Sequence, residues 1–509
     1  MLRAFATVGG WTMLSRVLGF IRDVMIAGFL GSGPVAEAFF VAFRLPNMFR
    51  RFFGEGAFNM AFVPLFAKRL EGGEDAKGFA EEALAGLIFI LLTLTVVAIV
   101  AMPVLMLGLA AGFSDDPAKF DLAVLYGRIQ FPYLMCMSLT ALFSGVLNAM
   151  GRFAAPAAAP VLLNIILIGA MALAFGLAAP VGDALALGVL AAGFAQVALV
   201  AVAVRRAGMG LGLRRPRWTS RMKRLVDLGV PGMLAGGVTQ INLFIGTLIA
   251  TFFDGAVAWL NYADRIYQLP LGVVGVAIGV VLLPELSRRV RAEDAAGAKE
   301  AFNRAAEFSM ALTLPAAAAL AAIPAAITST LFARGAFTEH DAAMTAAALA
   351  IFALGLPAFV LQKVLQPVFF SREDTKTPLR YALWAMAANT IMSVGGAPII
   401  GYLAIPVGTT VAGWLMIALL WNGARRFGDQ AAADERLKQR LPRLALASIL
   451  MGVAVWLGCD WLSAWLADPT LRWPALLSLV AGGGALFAAL AFALGGATAS
   501  DFRCALRRG

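Results

Sequence analysis

The sequence predicts an all-α polytopic membrane protein. Two observations support this class: the hydrophobic composition and the wide spacing of the charged residues. Of the 509 residues, 61% are hydrophobic and 14% are charged, whereas a soluble globular chain has about 25% charged residues. The apolar residues form long blocks that contain no charge, such as 83–113, 153–182 and 228–253. Each block is longer than the roughly 20 residues that a helix needs to cross the hydrocarbon core of a bilayer.

Taking the blocks in order, we expect about fourteen transmembrane helices. The block 381–424 has 44 uncharged residues and must therefore fold as a hairpin, with its turn near GGAPIIGYLAIPVG (395–408). Pro46 removes a backbone donor and should kink or break the second span. The predicted spans are 7–31, 34–66 (broken), 79–111, 120–149, 155–178, 184–204, 225–252, 256–286, 305–332, 342–370, 380–398, 402–423, 444–465 and 473–497.

The loop charges predict the orientation of these spans. With the N-terminus assigned to the cytoplasm, the inner loops and tails hold 30 Lys and Arg residues, and the outer loops hold only Lys119, Arg334 and Arg472. This distribution is the positive-inside bias of membrane proteins. We therefore expect both termini in the cytoplasm. The formal charge of +11 then reflects topology, and no nucleic-acid partner is expected.

The two halves of the chain resemble each other. AFVPLFAKR (61–69) resembles VLLPELSRR (281–289) at an offset of 220 residues. NAMGRFAAP (148–156) corresponds to FSREDTKTP (370–378) at a similar offset. The offset equals six spans, so the halves enter the membrane in the same direction as parallel repeats. The sequence thus predicts two six-helix lobes around a central cationic cavity, with two extra C-terminal helices. The predicted domains are an N-lobe at 1–213, a C-lobe at 214–432, and spans 13 and 14 with the cytoplasmic tail at 433–509.

Among the charged residues within the predicted spans, eight cations and four acids form the candidate set. The cations are Arg16, Arg22, Arg44, Arg50, Arg51, Arg128, Arg265 and Lys363, and the acids are Asp23, Glu37, Glu55 and Asp264. Eight cations facing lipid would cost on the order of 20 kcal/mol, so we expect most of them to line a water-filled cavity. The alternative is that some snorkel to the interface or form structural ion pairs with the acids.

Helical spacing gathers several of these charges on common faces. At 100° per residue, Arg16, Arg22 and Asp23 share one sector of the first helix, centred on Gly19. In the second span, Glu37 falls on one face with two arginines at spacings of seven, Arg44 and Arg51, and Asn47 and Arg50 lie in the adjoining sector. Arginine presents a planar fork of donors that can bind phosphate bidentately. The pattern therefore predicts that a phosphate-rich anion binds at membrane depth.

Four segments carry a resemblance to a known family. They are SRVLGFIRD (15–23), AFFVAFRLPNMFRRFFGEGAFNMAFVP (38–64), YADRIYQLPLGVVGVAIGVVLLPELSR (262–288) and FFSREDTKTP (369–378). Together they resemble the MurJ (MviN) family of lipid II flippases, within the multidrug/oligosaccharidyl-lipid/polysaccharide exporter superfamily, and the similarity covers essentially the whole chain. The resemblance implies alternating access that moves lipid II from the inner to the outer leaflet of the bacterial cytoplasmic membrane.

The resemblance also implies roles for particular residues. Arg16, Arg22, Arg50 and Arg265 would line the cavity, with Asn47 near them and Lys363 from span 10. With Glu37, where relatives usually have aspartate, these form the predicted substrate-binding set. The secondary candidates are Asp23, Arg44, Arg51, Asp264 and Gln268; Gln268 and Ala258 replace an acid and a serine that matter in some relatives.

The expected partners are lipid II and membrane lipid, and cell-wall synthesis proteins are further candidates. The resemblance implies that a groove lined by the last two helices takes the polyprenyl tail. We expect no cofactor, no bound metal and no catalytic residue. Coupling is left open between the membrane potential and an ion, because spans 7 and 11 offer Gln240, Asn242 and Asn389 but no acid beyond Asp227 at the start of span 7.

Three other functions compete with the flippase interpretation. A polytopic glycosyltransferase would need carboxylates poised for acid or base chemistry, but the outer loops are short and the acids of SDDPAKFD (114–121) have no partner constellation. A drug exporter of cations should have an acidic cavity, the reverse of the charge found. An exporter of another polyprenyl-pyrophosphate-linked oligosaccharide, or of an anionic amphiphile, would share the pyrophosphate chemistry, and only the motifs argue against it.

Overall fold

The computed structural model describes residues 2–50 and 57–497, which are almost entirely helical. Over these residues β-pairing is limited to an isolated bridge between Arg334 and Phe337. The α-helices, numbered α1 to α19 in chain order, are Leu2–Leu30, Pro34–Arg50, Ala57–Glu71, Ala76–Val100, Met102–Leu109, Pro117–Gln130, Tyr133–Ala149, Ala154–Gly176, Val181–Arg206, Ser220–Ala250, Ala256–Arg291, Ala295–Ala322, Pro324–Phe332, Glu339–Phe370, Lys376–Ile400, Ala404–Ala424, Glu435–Trp461, Ser463–Ala467 and Arg472–Ala493.

The predicted class, an all-α polytopic membrane protein, is confirmed. Within the described ranges, nine helical segments are long and apolar enough to cross a membrane. Every predicted span coincides with one helix or with two successive helices, while the number fourteen stays a prediction. The predicted hairpin is confirmed as well, because α15 ends at Ile400 and α16 begins at Ala404.

Several predicted spans are interrupted helices, which the apolar composition did not reveal. The span 79–111 contains α4 and α5, with Pro103 in the first turn of α5. The span 120–149 contains α6 and α7, and Pro132 immediately precedes α7. The span 305–332 contains α12 and α13, which begins at Pro324. Proline has no backbone N–H and tolerates the first turn of a helix but not its interior hydrogen bonding, so each helix restarts at a proline.

Pro46, in contrast, does not break its helix. The second predicted span contains α2 and α3, but α2 continues through Pro46 and ends at Arg50. Directly beyond the proline, Asn47 Nδ2 donates to the carbonyl oxygen of Phe43 at 2.9 Å. Such side-chain donors help transmembrane helices tolerate proline, since they satisfy backbone groups near the ring. Pro46 therefore does not end α2, and a kink at this position stays a prediction.

The chain forms two compact units. The first unit comprises Met1–Ala258 with Arg334–Phe337, and the second comprises Trp259–Ala333 with Thr338–Gly509. In the first unit α8 packs on α1 and α9, and α10 packs on α3. In the second unit α14 packs on α12 and α16, and α17 packs on α12 and α19. The predicted C-lobe includes α10, which packs with the first unit. The predicted domains rest on the repeat rather than on packing, and they stay a prediction.

Candidate functional site

The charged sector of α1 contains a buried ion pair. Arg22 donates to Asp23 Oδ1 through Nη2 at 2.7 Å and through Nε at 3.0 Å. Both side chains are buried, with 8% and 3% of their surface exposed. The pairing is the arrangement that the sequence left as the alternative to a cation open to ligand. Arg22 and Asp23 are therefore partners of each other, whatever else Arg22 binds.

Asn164 of α8 completes this cluster. Its Oδ1 accepts from Arg22 Nη1 at 2.9 Å, and its Nδ2 donates to the backbone oxygen of Ser15 at 2.9 Å. Asn164 lies directly over Gly19, because a Cβ built on Gly19 would be 3.5 Å from Nδ2. The small residue at the centre of the sector is thus the place where α8 contacts α1. Sequence reasoning missed Asn164, although a buried amide within the apolar block 153–182 was a signal.

Arg16 differs from Arg22 although the two lie in the same sector of α1. Its side chain is exposed, and among the described residues no carboxylate forms an ion pair with it. An exposed guanidinium keeps its net charge and its five N–H donors available to an anion. Of Arg16 and Arg22, Arg16 is the one that contributes net positive charge.

Glu37 has a partner that the sequence analysis did not predict. Lys119 Nζ lies 2.5 Å from Glu37 Oε2 and 3.0 Å from Asp254 Oδ1. The backbone N–H of Val257 donates to Glu37 Oε1 at 3.1 Å. Glu37 and Lys119 are buried, whereas the Asp254 side chain is fully exposed. Glu37 is thus a neutralised carboxylate in a three-residue ion cluster, and its predicted contact with substrate is untested.

Lys119, which the sequence analysis assigned to an outer loop, belongs to a helix, and its side of the membrane stays a prediction. Lys119 lies in the first turn of α6, whose N-cap Asp116 accepts the backbone N–H of Lys119 at 3.1 Å. Its ammonium group also lies 4.4 Å from the centre of the Phe113 ring, a cation–π distance. Basic residues are rare in the predicted outer loops, so each of them called for a structural explanation. That rarity was the signal that could have identified Lys119.

The remaining candidates on α2 bind neighbouring polar groups. Arg44 Nη1 donates to the hydroxyl of Thr247 on α10, and Thr247 in turn donates to the carbonyl oxygen of Leu243 at 2.7 Å. Asn47 bonds within its own helix, as described above. Arg50 is half-buried at the end of α2. Arg51, like the acid Glu55, lies outside the described residues.

The second unit holds the other candidates. On α11, Gln268 Nε2 donates to Asp264 Oδ2 one turn away, so the residue that replaces a family acid binds the neighbouring acid. Arg265 is half-buried on the same helix, and Lys363 is half-buried on α14. The structure thus places Arg16, Arg22 and Arg50 in the first unit and Arg265 and Lys363 in the second. The predicted cationic cavity stays a prediction.

A further charge cluster, which sequence reasoning also missed, lies at the start of α17 in the second unit. Glu307 of α12 accepts from Arg436 at both oxygens, at 3.0 and 3.1 Å, and it also accepts from Arg304 and Arg440. Arg304 additionally pairs with Asp434, the N-cap of α17. One carboxylate is therefore shared by three guanidinium groups. The cluster joins α12 to α17, the first of the two extra C-terminal helices.

No group of three or more His, Cys, Asp or Glu side chains is placed to hold a metal ion within the described ranges. In the ion pairs above, each carboxylate is instead paired with Arg or Lys. What the described clusters can do chemically is bind oxygen-rich anions and stabilise helix packing. No proton-transfer or nucleophilic pair appears among the candidate residues that the structure describes.

Comparisons with known proteins agree with the resemblance that the sequence motifs indicated. A family profile described as Lipid II flippase MurJ matches residues 26–468. A protein of Rhizobium meliloti named probable lipid II flippase MurJ is 47% identical, over 100% of this chain and 97% of that protein. A solved structure titled lipid II flippase MurJ, inward closed conformation, has a TM-score of 0.80 at 22% identity and covers 95% of this chain and 97% of that one.

An inward-facing multidrug transporter of the MATE family, from the MOP superfamily, has a TM-score of 0.68 at 14% identity, covering 83% of this chain and 98% of that one. At identities this low the two structural matches establish a shared fold.

Proposed function

The chain belongs to the MurJ family of lipid II flippases, and from that premise we propose that it moves lipid II from the inner to the outer leaflet of the bacterial cytoplasmic membrane. The family match along the whole length of the chain carries this proposal. The arginines within the spans support it, because the pyrophosphate of a lipid-linked precursor is an oxygen-rich anion that a guanidinium can bind bidentately. The proposal includes no chemical step, so none of the residues has a catalytic role.

In this proposal the arginines have two different tasks. Bonds to Asp23 and Asn164 use three of the five N–H donors of Arg22, which fixes the guanidinium and leaves two donors for a phosphate oxygen. The pair has no net charge, however, so it positions rather than attracts an anion. Arg16 supplies net charge in the first unit. Arg265 and Lys363 are the corresponding candidates in the second unit.

The drive that we propose is the membrane potential, in combination with alternating access. Each elementary charge that crosses the membrane gains about 2.3 kcal/mol per 100 mV, and a pyrophosphate carries more than one. Apart from Asp227 at the start of span 7, spans 7 and 11 contain no acid, which favours the potential over a cation site. No cofactor takes part. The test is the flipping rate in vesicles under an imposed potential, with and without sodium or a pH gradient; a rate that follows only the ion gradient would refute this drive.

Both termini are proposed to lie in the cytoplasm, and cysteine labelling tests this orientation. Gly210, in a loop, and Glu339, the first residue of α14, lie on opposite predicted sides and are suitable sites. Gly335 is not suitable, because its φ is +60° and a Cβ there would be 2.2 Å from the oxygen of Gly28. In intact cells that lack the native cysteines, Glu339→Cys should react with an impermeant thiol reagent and Gly210→Cys should not. Labelling of Gly210→Cys alone would reverse the topology.

The polyprenyl tail is proposed to bind along the last helices. The face of α17 exposes Ile449, Val453 and Trp456, which are half exposed or more, and α19 exposes Leu477 and Val480 in the same way. These side chains suit an apolar chain. Photocrosslinkers on a polyprenyl chain should mark α17 and α19. Marking confined to the first unit would refute this part of the proposal.

Depletion of the protein tests the function as a whole. We expect intact lipid II to accumulate on the inner leaflet, and wild-type protein supplied in trans to restore its distribution. If another lipid-linked oligosaccharide accumulates while lipid II is unaffected, the chain is an exporter of that precursor. If the precursor is not completed at all, the protein is a glycosyltransferase instead. Cell-wall synthesis proteins are proposed partners, to be sought by crosslinking in the same cells.

A further inference from the structure

A pocket of about 900 Å³ lies within the first unit, at the end that the predicted topology assigns to the cytoplasm. Its volume is within the range of small-molecule sites, roughly 300–1,000 Å³. The wall is formed by the start of α1, the turn between α7 and α8, and the end of α9. The lining residues are Thr7, Leu147, Gly151, Arg152, Phe153, Ala154, Ala155, Ala198, Leu199, Val202, Ala203 and Arg206.

The lining has two chemical zones. Most of it is apolar, with Leu147, Phe153 and Leu199 as its largest apolar side chains. The only charged residues in it are Arg152 and Arg206, whose side chains are exposed. Neither arginine forms an ion pair with a carboxylate in the described part of the chain. The pocket therefore combines an apolar wall with two unneutralised guanidinium groups.

The surface of α9 connects this pocket to the membrane. Phe194, Ala198, Val202 and Arg206 follow one another at intervals of four, which places them along one face of the helix. Phe194 and Val202 are 57% and 45% exposed, and Ala198 is exposed too. The stripe is thus apolar over the membrane-embedded length of α9 and cationic at its end. An occupant that fits it is an amphiphile with an anionic head.

We propose that this pocket binds an anionic phospholipid of the leaflet on that side, with its phosphate between Arg152 and Arg206 and its acyl chains along the α9 stripe. The first turn of α8, which contributes Ala154 and Ala155 to the wall, has no side-chain cap, so its N–H groups add donors. None of the predicted substrate-binding residues lines the pocket. The site is therefore separate from the flippase proposal and does not depend on it.

The two arginines give the first test. The protein is reconstituted in nanodiscs of phosphatidylcholine that contain a phosphatidylglycerol with a photoactivatable acyl chain. The double variant Arg152→Gln, Arg206→Gln should reduce labelling of peptides 147–155 and 198–206 by about tenfold or more, the loss expected for one or two charge-assisted hydrogen bonds. The matched control is Arg205→Gln, which removes an equally exposed arginine next to the pocket and should label normally.

A second variant keeps the charges and removes the space. Ala203→Phe should fill the pocket and abolish labelling of the same peptides, while an unchanged melting temperature shows that the fold is intact. Three results would overturn the proposal: equal loss in Arg205→Gln, equal labelling by a phosphatidylcholine probe, or unchanged labelling in both pocket variants. Displacement of the probe by a lipid-linked precursor at equal concentration would also overturn it, since the pocket would then belong to the substrate.

Discussion

The Arg22–Asp23 pair of the first unit and the Glu307 cluster of the second unit both join guanidinium groups to a carboxylate, but in different proportions. On α1, one guanidinium meets one carboxylate, and both are almost fully buried. On α12, one carboxylate meets three guanidinium groups, and two of these, Arg304 and Arg436, remain 28% and 42% exposed. The balanced pair is in the apolar part of a span, and the unbalanced cluster is where a helix leaves it.

The difference follows from the cost of burying charge. A buried ion loses several kcal/mol of hydration, which only a close partner of opposite sign can offset, so a span interior tolerates one-to-one pairs. At a helix end, water reaches the extra arginines and screens their mutual repulsion. The excess is then inexpensive, and it retains the positive charge that the inner side of a membrane protein usually carries. Breaking the balanced pair should therefore lower stability much more than removing one arginine from the unbalanced cluster.

The largest effect is expected for Arg22→Ala. It leaves the buried carboxylate of Asp23 without its cation, and breaking a buried pair costs about 3–5 kcal/mol. We expect a large fall in membrane abundance and in the melting temperature in detergent. The double variant Arg22→Ala, Asp23→Asn should recover most of both, because it removes the stranded charge.

Arg16→Ala is the control for this experiment. Arg16 is exposed on the same helix sector, so its loss should leave abundance unchanged and reduce flipping alone. Unchanged abundance of Arg22→Ala would show that water reaches Asp23. It would refute the claim that the buried pair contributes more to stability than the exposed cluster. A double variant that is stable but inactive would assign Arg22 a second role in binding the anion.

A smaller but still large effect is expected for Lys119→Met. Glu37 would lose its cation but keep the N–H of Val257, so the loss should fall below that of Arg22→Ala. The control Asp254→Asn removes the exposed member of the cluster, and an exposed ion pair contributes only about 0–1 kcal/mol. Melting temperatures should therefore rank wild type and Asp254→Asn above Lys119→Met. Equal losses in the two variants would show that burial does not determine the strength of these pairs.

The fold was largely predictable because long uncharged blocks require helices. The hairpin at 395–408 follows from length alone, and the helices of every span were located by the same reasoning. Composition did not reveal where a helix is interrupted within a span. The restart at Pro132 and the continuation through Pro46 depend on whether neighbouring groups satisfy the backbone hydrogen bonds. Those neighbours, such as the Asn47 amide, are set by side-chain geometry.

The candidate site was predictable in its residues and less so in its pairings. Helical spacing placed Arg22 and Asp23 in one sector around Gly19, and the structure confirms that they lie together there. The partners that come from distant sequence, Asn164 for Arg22 and Lys119 for Glu37, could not be derived from spacing within one helix. A pairing across 142 residues depends on which helices pack together, and an isolated sequence does not encode that in any local pattern.

The Glu307 cluster should respond less to the loss of an arginine than to the loss of its carboxylate. Arg436→Gln removes one of three cations and should lower stability by less than about 1 kcal/mol, as for an exposed pair. Glu307→Gln leaves three arginines without their shared acceptor and should cost about 1.5–3 kcal/mol, the range for a hydrogen bond to a charged group. Melting temperatures of both variants in low and high salt measure these two losses and their dependence on screening. A larger loss in Arg436→Gln than in Glu307→Gln would contradict the screened, unbalanced cluster.

A small effect, comparable to that of Arg436→Gln, is expected for a neutral contact, Asn47→Ala. Its amide donates to the Phe43 oxygen at 2.9 Å, and a neutral hydrogen bond contributes about 1 kcal/mol. The control is Thr12→Ala on α1, whose exposed hydroxyl makes the same i to i−4 contact with Val8 at 2.8 Å and which should melt like wild type. A modest loss of stability with normal flipping would make Asn47 a helix-stabilising residue beside Pro46. Normal stability with lost flipping would instead indicate that Asn47 binds the substrate. A neutral polar group of the spans would then have a measurable role beside the ion clusters.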